Sequence, residues 1–106
     1  MTKSTYPAIA IHAGEIIKEE IEARSISQKA FAECLGVPYT MLNEILNAKR
    51  PVSSEFALLV EAALGISAEM LMGIQSRYNL QTARNKRAVI TKIGKVKRMT
   101  APHEKK

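Results

Sequence analysis

The sequence predicts an all-α chain of five helices followed by a basic tail, and three observations carry that prediction. Aromatic residues make up only 5% of the 106 and none is Trp, so the bulky side chains that favour pleated surfaces are scarce. Ala, Leu, Ile, Glu and Lys dominate instead, a composition suited to a helical bundle. Apolar residues recur at intervals of three and four along most of the chain. With 46% apolar residues, this length builds one core and not two independent ones.

The elements follow in order. Residues 1–10 carry no helical period and include Pro7, so they read as a flexible arm. The domain proper is expected over residues 11–84. From Gly14, the run GEIIKEEIEAR sets Ile16, Ile17 and Ile21 on one face, and its early glutamates suit the positive end of the helix dipole. Ser27 offers a hydroxyl cap for a second helix from Gln28 to Leu35, and Gly36 offers the positive φ of a stop. A third helix is expected from Pro38, tolerated in a first turn, to Asn47, with Leu42, Ile45 and Leu46 as its apolar stripe. Lys49 and Arg50 close it.

Pro51 then breaks the chain, and Ser53 caps a fourth helix in which Phe56, Val60, Ala63 and Leu64 face inward as far as Gly65. Ser67 caps a fifth, with Met70, Leu71, Ile74 and Tyr78 on its apolar side, reaching about Arg84. Residues 85–106 form the basic tail. Within it, Val89, Thr91 and Ile93 alternate with Ile90, Lys92 and Lys95, so the tail reads as disordered or weakly strand-like.

The net charge of +6 suggests an anionic partner, but its distribution qualifies that reading. Residues 1–82 hold seven Lys/Arg against nine Glu, a net of −2, whereas residues 83–106 hold nine against one, a net of +8. Charge therefore gives no support for nucleic-acid binding by the helical part. Cys34 stands alone, and no apolar stretch near the N-terminus resembles a signal peptide or reaches the roughly 18 residues of a membrane span. The cytoplasm is the expected compartment. His12 and His103 are far apart with no cluster of metal-ligand spacing, Cys34 has no His placed by motif and is expected to be partly buried, and no phosphate loop or nucleophile elbow is present. No metal, cofactor or enzymatic activity is expected.

The segment SQKAFAECLGVPYTMLNEIL carries the functional signal. Two helices joined at a steep angle through a short turn need a small residue where they approach, a turn residue between them and apolar residues beneath. Ala32 meets the first need, Gly36 the second, and Phe31, Leu35, Val37, Leu42 and Ile45 the third. The pattern predicts a helix-turn-helix at residues 27–50, whose second helix enters the major groove of DNA with its N-terminal residues toward the base edges. Asn43 has the amide geometry for adenine N6 and N7. Thr40 can pack its methyl on thymine, Glu44 can accept from cytosine N4, and Tyr39 can reach a base or a phosphate. Ser27 and Gln28, at the start of the second helix, and the cations Lys49 and Arg50 are the expected phosphate contacts.

These residues resemble the HigA-like antitoxins, of the virulence-associated protein I type, within the Xre/Cro-like (phage-repressor-like) group. The resemblance runs from about His12 to Arg84 and rests on HAGEIIKEEI at 12–21, SQKAFAECLGV at 27–37, LNAKRPVSSEFALLVEAALGIS at 46–67 and IQSRYNLQTAR at 74–84. The chain departs from the family pattern with Ala13 in place of Pro, Ala48 in place of Gly, and Met72-Gly73 in a stretch often aromatic and polar. The resemblance implies a homodimer that binds a palindromic operator, represses its own operon and neutralises a cognate toxin that cleaves mRNA. It places Gln28, Tyr39, Thr40, Asn43, Lys49 and Arg50 against DNA. Two other functions fit the residues: a stand-alone transcriptional regulator with no toxin partner, and a protein-interaction or RNA-associated module acting through the basic tail.

Overall fold

Six helices and no strand make up residues 10–99, the part of the chain that the computed structural model describes. They are α1 (Ala13–Ala23), α2 (Gln28–Leu35), α3 (Tyr39–Leu46), α4 (Ser54–Leu64), α5 (Ala68–Arg84) and α6 (Arg87–Lys95). The expected arm falls almost wholly at residues 1–9, outside the described residues, as does the end of the tail beyond residue 99.

Serine hydroxyls start three of these helices as expected. Ser27 accepts the Ala30 N–H at 3.0 Å, Ser53 that of Phe56 at 3.2 Å and Ser67 that of Met70 at 3.1 Å. Gly36 and Gly65, with φ of 72° and 77°, end α2 and α4 in the left-handed region that glycine enters without steric cost. Pro38 stands just outside α3 as its N-cap and is not the first helical residue.

The core is built from α1 to α5. Ile17 and Ile21 of α1, Phe31, Ala32 and Leu35 of α2, Leu42, Ile45 and Leu46 of α3, Phe56, Ala57, Val60 and Leu64 of α4, and Leu71 of α5 are buried together. Ile16 and Val37 pack at its margin. Three expectations for the core fail. Ala63 is exposed, as is Cys34, and Met70 keeps 47% of its surface in solvent. The inward position of α5 belongs to Gln75, only 2% exposed. Its Oε1 accepts the Val52 N–H at 3.1 Å, and its Nε2 donates to Asn79 Oδ1 at 2.9 Å, so a buried amide finds partners for both ends.

α1 sits unusually close to α3. At Gly14 a Cβ would overlap the backbone carbonyl of Ile45, so only glycine allows this packing. His12, 1% exposed, caps α1 by accepting the Gly14 N–H on Nδ1 at 2.8 Å and meets Tyr78 of α5 edge to face at 4.8 Å. Burial pushes its imidazole below the ordinary value of 6.5, against smaller upward influences from the Glu15 carboxylate and a hydrogen bond with the Arg50 backbone.

The tail corrects the sequence reading. Its first part is α6, a sixth helix, and no strand forms among the described residues. Val89, Ile90, Ile93 and Val96 fit a helical period as well as an alternating one, and a lone strand has no edge to bond, whereas a helix satisfies its own backbone. None of the α6 residues is buried, and Ile90 and Ile93 are 54% and 60% exposed.

Two predictions follow from the packing. Ala48 lies at φ +64°, where a Cβ is crowded. Ala48→Gly is expected to stabilise the fold by about 0.5–1 kcal/mol, the relief of that crowding less the extra chain entropy of glycine, and thermal unfolding will show it as a rise of a few degrees. The second concerns His12. Because its folded value is depressed, its contribution is complete above the unfolded value of about 6.5 and is lost as pH falls through the folded value. Unfolding midpoints of the wild-type chain are expected to drop from pH 7 to 5 more steeply than those of His12→Asn, which keeps a capping acceptor but does not titrate. Equal slopes would remove His12 from the account.

Candidate nucleic-acid interface

The face that the sequence assigns to DNA is formed by α2, the turn at residues 36–38 and α3. The turn is closed from within: Gly36 N–H bonds to Glu33 O at 3.2 Å and Val37 N–H to Ala32 O at 3.1 Å, so two carbonyls at the end of α2 are satisfied while the chain reverses. Leu42, Ile45 and Leu46 bury one side of α3 completely. Whatever lies opposite them is turned outward by the helical period.

The opposite side carries the expected residues. Tyr39, the first residue of α3, is 49% exposed, and Thr40 beside it is also exposed. Asn43 is half-buried, and its Nδ2 donates to Gln28 Oε1 of α2 at 3.1 Å. That bond leaves the Asn43 Oδ1 acceptor and one amide hydrogen outside the pair and fixes the plane of the amide. The packing of α3 on α2 thus brings together two residues that the sequence assigns to different roles.

Ser27 is exposed, but its hydroxyl already accepts a backbone hydrogen bond as the α2 cap. At α3 the N-cap is Pro38, which supplies no side-chain hydrogen bond. The first N–H groups of α3 therefore lack the hydroxyl partner that α2, α4 and α5 have.

Lys49 and Arg50 do not end α3. The helix stops at Leu46 with Asn47 as cap, and Ala48 makes the left-handed turn, with Ala48 N–H bonded to Ile45 O at 3.2 Å and Lys49 N–H to Glu44 O at 2.8 Å. Both cations are exposed in the segment that follows. Arg50 is already partnered: its Nε and Nη2 donate to Glu44 Oε1 at 3.0 and 2.8 Å.

His12, Gly14 and Gln75 support this face from behind, and sequence reasoning missed all three. Gln75 had a signal, a polar residue four positions after Leu71 on an apolar face. His12 and Gly14 had none beyond their place at the start of α1. Among the described residues no cluster of three or more His, Cys, Asp or Glu could hold a metal ion, and no helix is long and apolar enough to cross a membrane.

Comparison with known proteins agrees with this geometry. The helix-turn-helix family matches residues 17–71. Virulence-associated protein I of Dichelobacter nodosus is 33% identical over 75 residues, covering 70% of this chain and 69% of that protein. Among solved structures, the Pseudomonas aeruginosa antitoxin HigA with the higBA promoter superposes with a TM-score of 0.75 at 30% identity, covering 85% of this chain and 98% of that one. The antitoxin GraA in complex with its operator does so at 0.76 and 31%, covering 95% and 100%. The chain therefore belongs to the Xre-type helix-turn-helix family, in its HigA-like branch.

Proposed function

We propose that this chain is a DNA-binding antitoxin that reads a palindromic operator through α2 and α3, represses its own operon and neutralises a cognate mRNA-cleaving toxin. The observation that carries the DNA half is the outward face of α3, where Asn43 is held by Gln28 beside exposed Tyr39 and Thr40. An eight-residue helix is about 12 Å long and suits a major groove of about that width. HigA and GraA, similar over nearly their whole length, were solved with a promoter and an operator.

In this reading Asn43 addresses adenine, Thr40 a thymine methyl and Tyr39 a base or a phosphate, while Gln28, Lys49 and the α2 start beside Ser27 set the register on the backbone. Two copies acting together would present two α3 helices about one DNA turn apart. Leu80 of α5 and Ile90 and Ile93 of α6 support such pairing, since all three are more than half exposed in the single chain. The net −2 of residues 1–82 gives the helical part little general attraction for phosphates, so pairing is the expected source of added affinity.

The DNA half is tested by Asn43→Ala and Gln28→Ala against a duplex enriched from a random pool. Asn43→Ala is expected to cost about 1–3 kcal/mol and to relax preference at one adenine. Gln28→Ala is expected to weaken the same preference by less, because it releases the Asn43 amide without removing it. Intact affinity and base preference in both variants would contradict the assignment. For the antitoxin half, the product of a neighbouring gene is expected to co-purify with the chain and to lose its RNA-cleaving activity in the complex. DNA binding without any such partner would leave a regulator alone.

A further inference from the structure

Glu44 and Arg50 form a pair whose position is more informative than its strength. Arg50 is 50% and Glu44 45% exposed at the side chain, and an exposed ion pair contributes little to folding. Yet both the Arg50 Nε and Nη2 converge on the single atom Glu44 Oε1. The two residues come from different parts of the motif. Glu44 lies one turn after Thr40 on α3, and Arg50 follows the left-handed turn at Ala48.

Pro51 in turn restricts the backbone conformation of Arg50, the residue before it. With Nε and Nη2 both on one carboxylate oxygen, the Arg50 fork is oriented by Glu44. Nε and one Nη2 hydrogen are used, and the Nη1 end is outside the pair. An arginine on a flexible stem would grasp any phosphate within reach. One whose charge is already opposed by a carboxylate gains less from a phosphate wherever it meets one, and offers its remaining hydrogens in a fixed geometry.

We propose that Glu44 acts on DNA through Arg50 and not by touching a base: it orients the guanidinium and offsets its charge, lowering binding to unrelated sequences more than binding to the operator. Glu44 is then a positioning residue, and Arg50 the group that meets the DNA. This rests on the DNA-binding reading of α2 and α3 above.

The test uses the full-length chain and two duplexes of equal length and composition: one enriched by the wild-type chain from a random pool, and its scramble. Affinities are measured by fluorescence anisotropy across a salt series for the wild type, Glu44→Gln, Arg50→Ala and the double variant, after circular dichroism has shown all four folded. Glu44→Gln is expected to bind the scramble several-fold more tightly and to steepen the salt slope by about 0.9, the increment for one further phosphate neutralised. Its preference for the enriched duplex should fall, and in the Arg50→Ala background both effects should vanish. If Glu44→Gln instead weakens the enriched duplex and changes the base preferred at one position, equally with and without Arg50, Glu44 is a direct base reader and the proposal is overturned. Unchanged affinities and slope also overturn it, while leaving the DNA-binding reading intact. A wild-type chain that enriches no duplex brings down that reading and this proposal together.

Discussion

The close approach of α1 to α3, where Gly14 lies against the Ile45 carbonyl, is the constraint on which the rest depends. A backbone carbonyl cannot move aside as a side-chain tip can, so this contact fixes how far and at what angle α3 stands from the body. With Leu42, Ile45 and Leu46 drawn beneath α1 and its neighbours, the face bearing Tyr39, Thr40 and Asn43 has only one direction left. Two polar anchors extend the same control beyond the helix. His12 joins the start of α1, Tyr78 and the backbone at Arg50, and Gln75 holds the backbone at Val52. The segment between α3 and α4 is thereby tied to α1 and α5, and the cations it carries inherit a fixed place.

Electrostatics then plays a different part from the one net charge suggests. The basic excess of the chain lies after residue 82, while the helical part is slightly acidic. Glu44 extends this restraint to the face itself, since it opposes one of the two cations that follow α3. In the proposed reading, a domain with little general attraction for phosphates gains its affinity from shape, from oriented hydrogen bonds such as that between Gln28 and Asn43, and from a second copy.

Much of this was legible in the sequence because the signals were local. The Ser27, Ser53 and Ser67 caps and the glycines Gly36 and Gly65 each act within one turn of chain, so their spacing alone located three of the helices. The departure at Ala48 was visible as well, and its φ of +64° shows why glycine is usual there. What was not legible depends on partners distant in sequence. Gly14 meets Ile45 and Gln75 meets Val52, and nothing in either local stretch announces the other. Ala63 and Met70 fit an apolar stripe by spacing, yet both face solvent, as does Cys34. In α6 the pattern fitted two periods, and the absence of a strand partner decided between them.

The central claim is that packing from behind turns the first half of α3 into a major-groove reader. Methylation interference on an enriched duplex tests it most directly, because guanine N7 lies in the major groove and adenine N3 in the minor. The account predicts that methylation at N7 blocks binding in two half-sites about one helical turn, roughly 10 base pairs, apart, while methylation at N3 between them does not. Interference confined to adenine N3, or none at either position, would contradict it.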